Sequence, residues 1–164
     1  MNKTEFVKRF GGVFEHSPWI AERACDANPE LGSKVENAAD VHDPLCQQFQ
    51  AASHEERLNV LCAHPDLAGK LALNGELTAE STKEQASAGL DSLTADELAL
   101  MTNLNEQYQA KFGHPFIIAV MGLSKDDIKV AFQTRVNNSK EVEFETACKQ
   151  VEKIALLRLN ALFA

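Results

Sequence analysis

Apolar residues along this chain recur mostly at steps of three and four rather than in alternation, the period of helices that bury one face. Leu98, Met101, Leu104, Tyr108 and Phe112 make the clearest run. Thr94 and Glu97 precede it at capping-box spacing, and Gly113 stops it. Ser17-Pro18 reads as an N-cap with a first-turn proline, opening a helix that carries Trp19, Ile20 and Ala24 on one side. Residues 28–40, with Pro29 and Gly32, read as a loop or frayed turn, after which Asp40 opens a run through Leu45, Cys46 and Phe49. Ser53 to Glu56 and Ser81 to Glu84 also have capping-box spacing. Ser124 opens a further helix, and a long final one spans residues 140–162.

One stretch breaks the period. Pro115-Phe116-Ile117-Ile118-Ala119-Val120-Met121 is continuously apolar between Gly113 and Gly122, and no second strand is in evidence to pair with it. Its backbone amides need partners other than a sheet ladder, and a bound ligand is one such partner. The pattern predicts an all-α protein, a single domain over residues 1–164 with about eight helices and one irregular apolar segment.

Composition narrows the function. Charged residues at 24% and apolar ones at 45% are those of a globular chain, and a net charge of −8 without any Lys or Arg run excludes nucleic acid as partner. Cys25, Cys46, Cys62 and Cys148 are scattered, so neither a disulfide framework nor a zinc site is expected, and no metal. The first residues lack the apolar core of a signal peptide, and no stretch is apolar for long enough to span a bilayer. A reduced, cytoplasmic setting without membrane contact is the simplest expectation.

Candidate chemistry starts at His64, because Pro65 supplies no N–H and restricts the residue before it, so a helix should end there. An imidazole at an element end, with an ordinary pKa of about 6.5, either gives or takes a proton near neutrality. On residues alone, a histidine before a proline is more often a loop residue than a catalyst. Arg158 is the second anomaly, since it falls on the apolar stripe Phe144, Cys148, Val151, Ala155 and Leu162 of the last helix. An unpaired guanidinium there would be costly, so it either reaches the rim or meets an anion. If no protein group pairs it fully, Arg158→Met should leave or improve stability. Arg135 has similar spacing after Ala131 and Ile128 and reads as a structural ion-pair member; His114, beside the apolar segment, is a secondary candidate. A helical binding module and an enzyme on the same scaffold both remain open on these features.

Four blocks taken together are more specific: Glu15-His16-Ser17-Pro18-Trp19-Ile20-Ala21-Glu22-Arg23, His64-Pro65-Asp66-Leu67-Ala68-Gly69, Ser81-Thr82-Lys83-Glu84-Gln85 and Phe116-Ile117-Ile118-Ala119-Val120. In this order they resemble the 2-oxo-4-hydroxy-4-carboxy-5-ureidoimidazoline (OHCU) decarboxylase family, and the resemblance spans nearly the whole chain. It implies a carboxy-lyase that turns OHCU into (S)-allantoin at the end of urate breakdown, without cofactor, as a homodimer. It implies His64, Glu84 and Arg158 as catalytic residues. It implies Pro65, Ser81, Thr82, Lys83, Glu84, Gln85, Phe116, Ile117, Ile118, Ala119 and Val120 as substrate-binding ones, with Glu84 on the ureido group and Glu15 and Trp19 near the site wall. Where this chain has Met121, many members of the family carry a basic residue.

Overall fold

Side-chain caps divide this chain into helices, and most of them lie where a polar residue precedes an acidic one by three. The computed structural model describes residues 1–164, apart from the side chain of Leu71. The helices are α1 (Lys3–Phe10), α2 (Trp19–Ala27), α3 (Ala38–Ala51), α4 (His54–Ala63), α5 (Lys70–Leu73), α6 (Ala79–Ser87), α7 (Ala95–Phe112), α8 (Lys125–Arg135) and α9 (Lys140–Phe163), with a 3-10 turn at Leu31–Ser33. α5 is a single turn, and no strand occurs among the described residues. The all-α expectation holds.

Reciprocal capping boxes open α1 (Asn2 with Glu5), α3 (Asn37 with Asp40), α7 (Thr94 with Glu97) and α8 (Ser124 with Asp127). Ser53 and Glu56 exchange the same pair of bonds at the head of α4. Three expected starts are corrected. Asp40 does not open α3 but closes its box from the third position, so the helix begins earlier. Ser81 is not a cap: Thr78 Oγ1 accepts from the Ser81 N–H at 3.2 Å, which moves the start of α6 upstream and puts Glu84 and Gln85 in its second turn. The Ser17 hydroxyl donates to the Glu15 carbonyl instead of capping α2. At α3 and α6 a polar residue three positions upstream accepts the N–H of the residue read as cap, which draws that residue into the first turn; at α2 the Ser17 hydroxyl is spent on a carbonyl.

The chain forms two compact units, residues 1–63 with 151–164, and residues 64–150. The first buries Phe6, Phe10, Phe14, Ile20, Phe49 and Leu159. Trp19 is only half-buried in it, with the Arg23 guanidinium over its ring at 4.4 Å, and Leu162 at the end of the α9 stripe is exposed. The second unit packs Leu67, Met101, Leu104, Tyr108, Phe116 and Phe132 into one core, with Leu98, Phe112 and Ile118 against it. That core joins the loop after α4, the long helix α7 and the irregular apolar segment.

Candidate functional site

α4 ends at Ala63, one residue before His64, as Pro65 requires. His64 is 7% exposed. The turn behind it is tight: Ala68 has a φ of 49°, and a Cβ on Gly69 would come within 2.6 Å of the Asp66 Cβ, so only glycine fits there. Side-chain amides hold this turn in place. Gln85 Oε1 accepts from the Ala68 N–H at 2.9 Å, and Gln85 Nε2 donates to the Asp66 carbonyl at 3.2 Å. Asn105 Nδ2 donates to the Leu67 carbonyl at 3.0 Å. Burial pushes the Asp66 carboxyl up from its usual range, against a bond from Gln109 Nε2 at 2.7 Å. The loop that carries the imidazole is therefore fixed from α6 and α7, and much of the Gln85 amide is committed to it.

The five-residue motif on α6 divides by helical geometry. Ser81 and Gln85, one turn apart, are buried, and Glu84 beside them is half-buried. Thr82 and Lys83 are exposed, and the Thr82 hydroxyl donates to the Thr78 carbonyl. A cavity of about 310 Å³ beside α6 is lined in part by Ala68, Thr82 and Gln85, a volume at the small end of ligand pockets. Lys83 lies outside that lining.

The segment at residues 115–120 has no ladder, and side chains take the place of one. Arg135 Nη1 donates to the Ile117 carbonyl at 2.6 Å, and the Ala119 N–H donates to Gln150 Oε1 at 2.9 Å. Phe116 stacks on Phe132 with ring centroids 3.9 Å apart, and the Arg135 guanidinium lies 4.4 Å from the Phe116 ring. Arg135 is itself held by Glu143, a carboxylate of zero exposure, through Nε and Nη2 at 2.6 Å. Glu143 also accepts from the Tyr108 hydroxyl at 2.6 Å and from Asn138 Nδ2 at 3.1 Å. Burial and this bond together drive the Tyr108 phenol well above its usual value. Arg135 is thus the ion-pair member that its spacing suggests. Its carboxylate was missed in the sequence, although Glu143 stands in register with buried Ala147 and Val151. Gln150 and Asn105 carried no sequence signal.

Arg158 lies in the other unit and is 7% exposed, so it does not reach the rim. Its Nη2 meets Glu15 Oε2 at 2.7 Å, and Glu15 is 2% exposed. The anion beside it is therefore supplied by the protein, which overturns the expectation that removing Arg158 is harmless to stability. Among the described residues, no three His, Cys, Asp or Glu side chains cluster as metal ligands.

The family model for OHCU decarboxylase matches residues 1–160. A 2-oxo-4-hydroxy-4-carboxy-5-ureidoimidazoline decarboxylase of Haloferax volcanii is 38% identical over 164 residues, covering 100% of this chain and 92% of that one. A uric acid degradation bifunctional protein of Bacillus sp. TB-90 is 36% identical over 99% of this chain and 31% of its own length. Among solved structures, an (S)-allantoin synthase superposes with a TM-score of 0.78 at 30% identity, over 99% of this chain and 51% of that one. An OHCU decarboxylase crystallised with (S)-allantoin shares the fold, with a TM-score of 0.63 at 21% identity over 87% of this chain and 95% of that one. With the family's motifs on a clamped loop, a helix face and a ladderless segment, and a match that runs almost from end to end, the chain belongs to the OHCU decarboxylase family.

Proposed function

We propose that the protein decarboxylates OHCU to (S)-allantoin, the last step from urate to allantoin, without a cofactor. The observation that carries this reading is the family match over residues 1–160, which includes the motif that begins at the buried His64. The substrate's reacting carbon bears the carboxylate and a hydroxyl and neighbours an imine. When the carbon–carboxylate bond breaks, carbon dioxide leaves, the bond's electron pair forms a double bond to the ureido-bearing carbon, and the imine pair moves to nitrogen, which takes up a proton. Loss of the hydroxyl proton and protonation of the ureido-bearing carbon then yield the carbonyl of allantoin. The ring is its own electron sink, so the protein has to supply position and proton transfer only.

His64 handles the proton at the hydroxyl and the departing carboxylate. Glu84 accepts the paired N–H groups of the ureido end in a bidentate manner, with Ser81 and Gln85 on the same helix face and Pro65, Thr82 and Lys83 in the surrounding wall. Backbone groups of residues 116–120 hold the flat ring. Arg158 stabilises negative charge on a substrate oxygen. Its assignment rests on the likeness to the family. Protonation from one side gives a single enantiomer.

A homodimer, a cytoplasmic location and a single decarboxylase domain over residues 1–164 belong to the same reading. Cys25, Cys46, Cys62 and Cys148 are all free thiols, which suits a reducing compartment, and among the described residues no helix is long and apolar enough to cross a membrane. The test supplies urate with urate oxidase and hydroxyisourate hydrolase and follows circular dichroism. Adding the protein should bring optically active allantoin rapidly. A trace matching the spontaneous reaction, which gives racemate, overturns the assignment.

A further inference from the structure

The apolar segment at residues 115–120 is held by side chains on one edge, and the pattern of that hold suggests what the other edge is for. In an extended chain the N–H and C=O of alternate residues leave on opposite edges. Ile117 and Ala119 share one edge, and both are engaged there: the Ile117 carbonyl by Arg135 Nη1 at 2.6 Å, the Ala119 N–H by Gln150 Oε1 at 2.9 Å. Ile118, between them, is half-buried, and among the described residues its N–H and C=O make no hydrogen bond within the chain. Backbone groups so placed are rarely left unpaired, and among the described residues no sheet neighbour takes them.

We propose that Gln150, together with Arg135, is a positioning residue for substrate binding: the two hold the inner edge of the segment and thereby present the N–H and C=O of Ile118 to the ring amide of the substrate. The inference rests on the decarboxylase reading above and goes beyond it, because neither residue touches the substrate. The two holds differ in stiffness. Arg135 is pinned by a fully buried carboxylate and two further donors, so its hydrogen bond to Ile117 is set by the core. Gln150 is half-exposed on α9 and uses a single acceptor oxygen, so it can be changed without opening that core. Only an acceptor is needed there. A carboxylate therefore serves as well as an amide, and an alkyl group does not.

The experiment compares Gln150→Leu and Gln150→Glu with the parent, reading KM and kcat in the coupled allantoin assay and amide hydrogen exchange at Ala119. Gln150→Leu should raise KM about tenfold or more with kcat within about threefold, and should speed exchange at Ala119. Gln150→Glu should recover both, with KM within about threefold of the parent and Ala119 protected. Melting temperatures near the parent's keep a folding defect out of the comparison. An active parent whose KM is unchanged in Gln150→Leu overturns the positioning role while leaving the decarboxylase reading intact. Gln150→Glu failing as badly as Gln150→Leu also overturns it. An inactive parent overturns the decarboxylase reading and this role with it; Ala119 exchange then reports the clamp alone.

Discussion

Two side chains test the chemistry at the scale of single residues. His64 is buried on a loop whose backbone is held by Gln85 and Asn105, so replacing the imidazole does not release the turn. His64→Asn keeps polarity but cannot exchange a proton near neutral pH. It should melt like the parent and lose about 10²–10⁴ in turnover. Calorimetric binding of allantoin beside the turnover assay separates proton transfer from binding: full turnover with weakened binding would reduce His64 to a hydrogen-bonding wall. Arg158 gives a different result because it is half of a buried pair. Arg158→Met strands the Glu15 carboxylate in the core and should cost about 3–5 kcal/mol in denaturant unfolding. Adding Glu15→Leu removes the stranded charge and should return most of that stability, with turnover still lost. A double variant that turns over like the parent would leave Arg158 a purely structural residue.

At the scale of elements, the junction between α7 and the apolar segment carries a titrating group. Gly113 ends α7 with a φ of 77°, and His114 follows it at 2% exposure with Nδ1 2.9 Å from the Pro115 carbonyl oxygen. Burial lowers the His114 pKa below its usual 6.5, against the upward pull of the Pro115 carbonyl and Glu143, while Arg135 adds to the lowering. The unfolded chain then binds a proton before the folded one does. The stability gained by burying the neutral ring is complete above about pH 6.5 and is lost as pH falls from there toward the lower folded value. Glu97 and Glu56, held at about 2 by capping and ion-pair bonds, begin to contribute losses only below the ordinary carboxylate range near 4.5. Between pH 7 and 5, the melting temperature should therefore fall more steeply in the parent than in His114→Gln. Parallel profiles would remove His114 as the cause.

At the scale of the whole molecule, a net charge of −8 disfavours polyanions, and the expected partners are a small substrate and a second copy of the chain. Sedimentation equilibrium at micromolar concentration should give about twice the 18.0 kDa chain mass. A clean monomer there would refute the dimer and leave the chemistry of His64 untouched.

Sequence by itself determined the helical class, several helix ends and the family. Local rules set the start of α7 at Thr94, the start of α8 at Ser124, the stop at Gly113 and the end of α4 before His64-Pro65, because each depends on residues within four of one another. The oddity of Arg158 on an apolar stripe and of residues 115–121 outside any period was equally legible, since both are breaches of a local pattern. Tertiary structure alone decided which polar groups meet. Glu15 with Arg158, Glu143 with Arg135, Gln85 with the His64 loop and Gln150 with Ala119 are pairs separated by 143, 8, 17 and 31 positions. For the long-range pairs no periodicity links the partners, and a buried charge announces its cost in the sequence without naming the group that offsets it. The Ser81 start differs for a local reason: Thr78, three residues upstream, accepts the Ser81 N–H and so places Ser81 inside the first turn, where its side chain is buried.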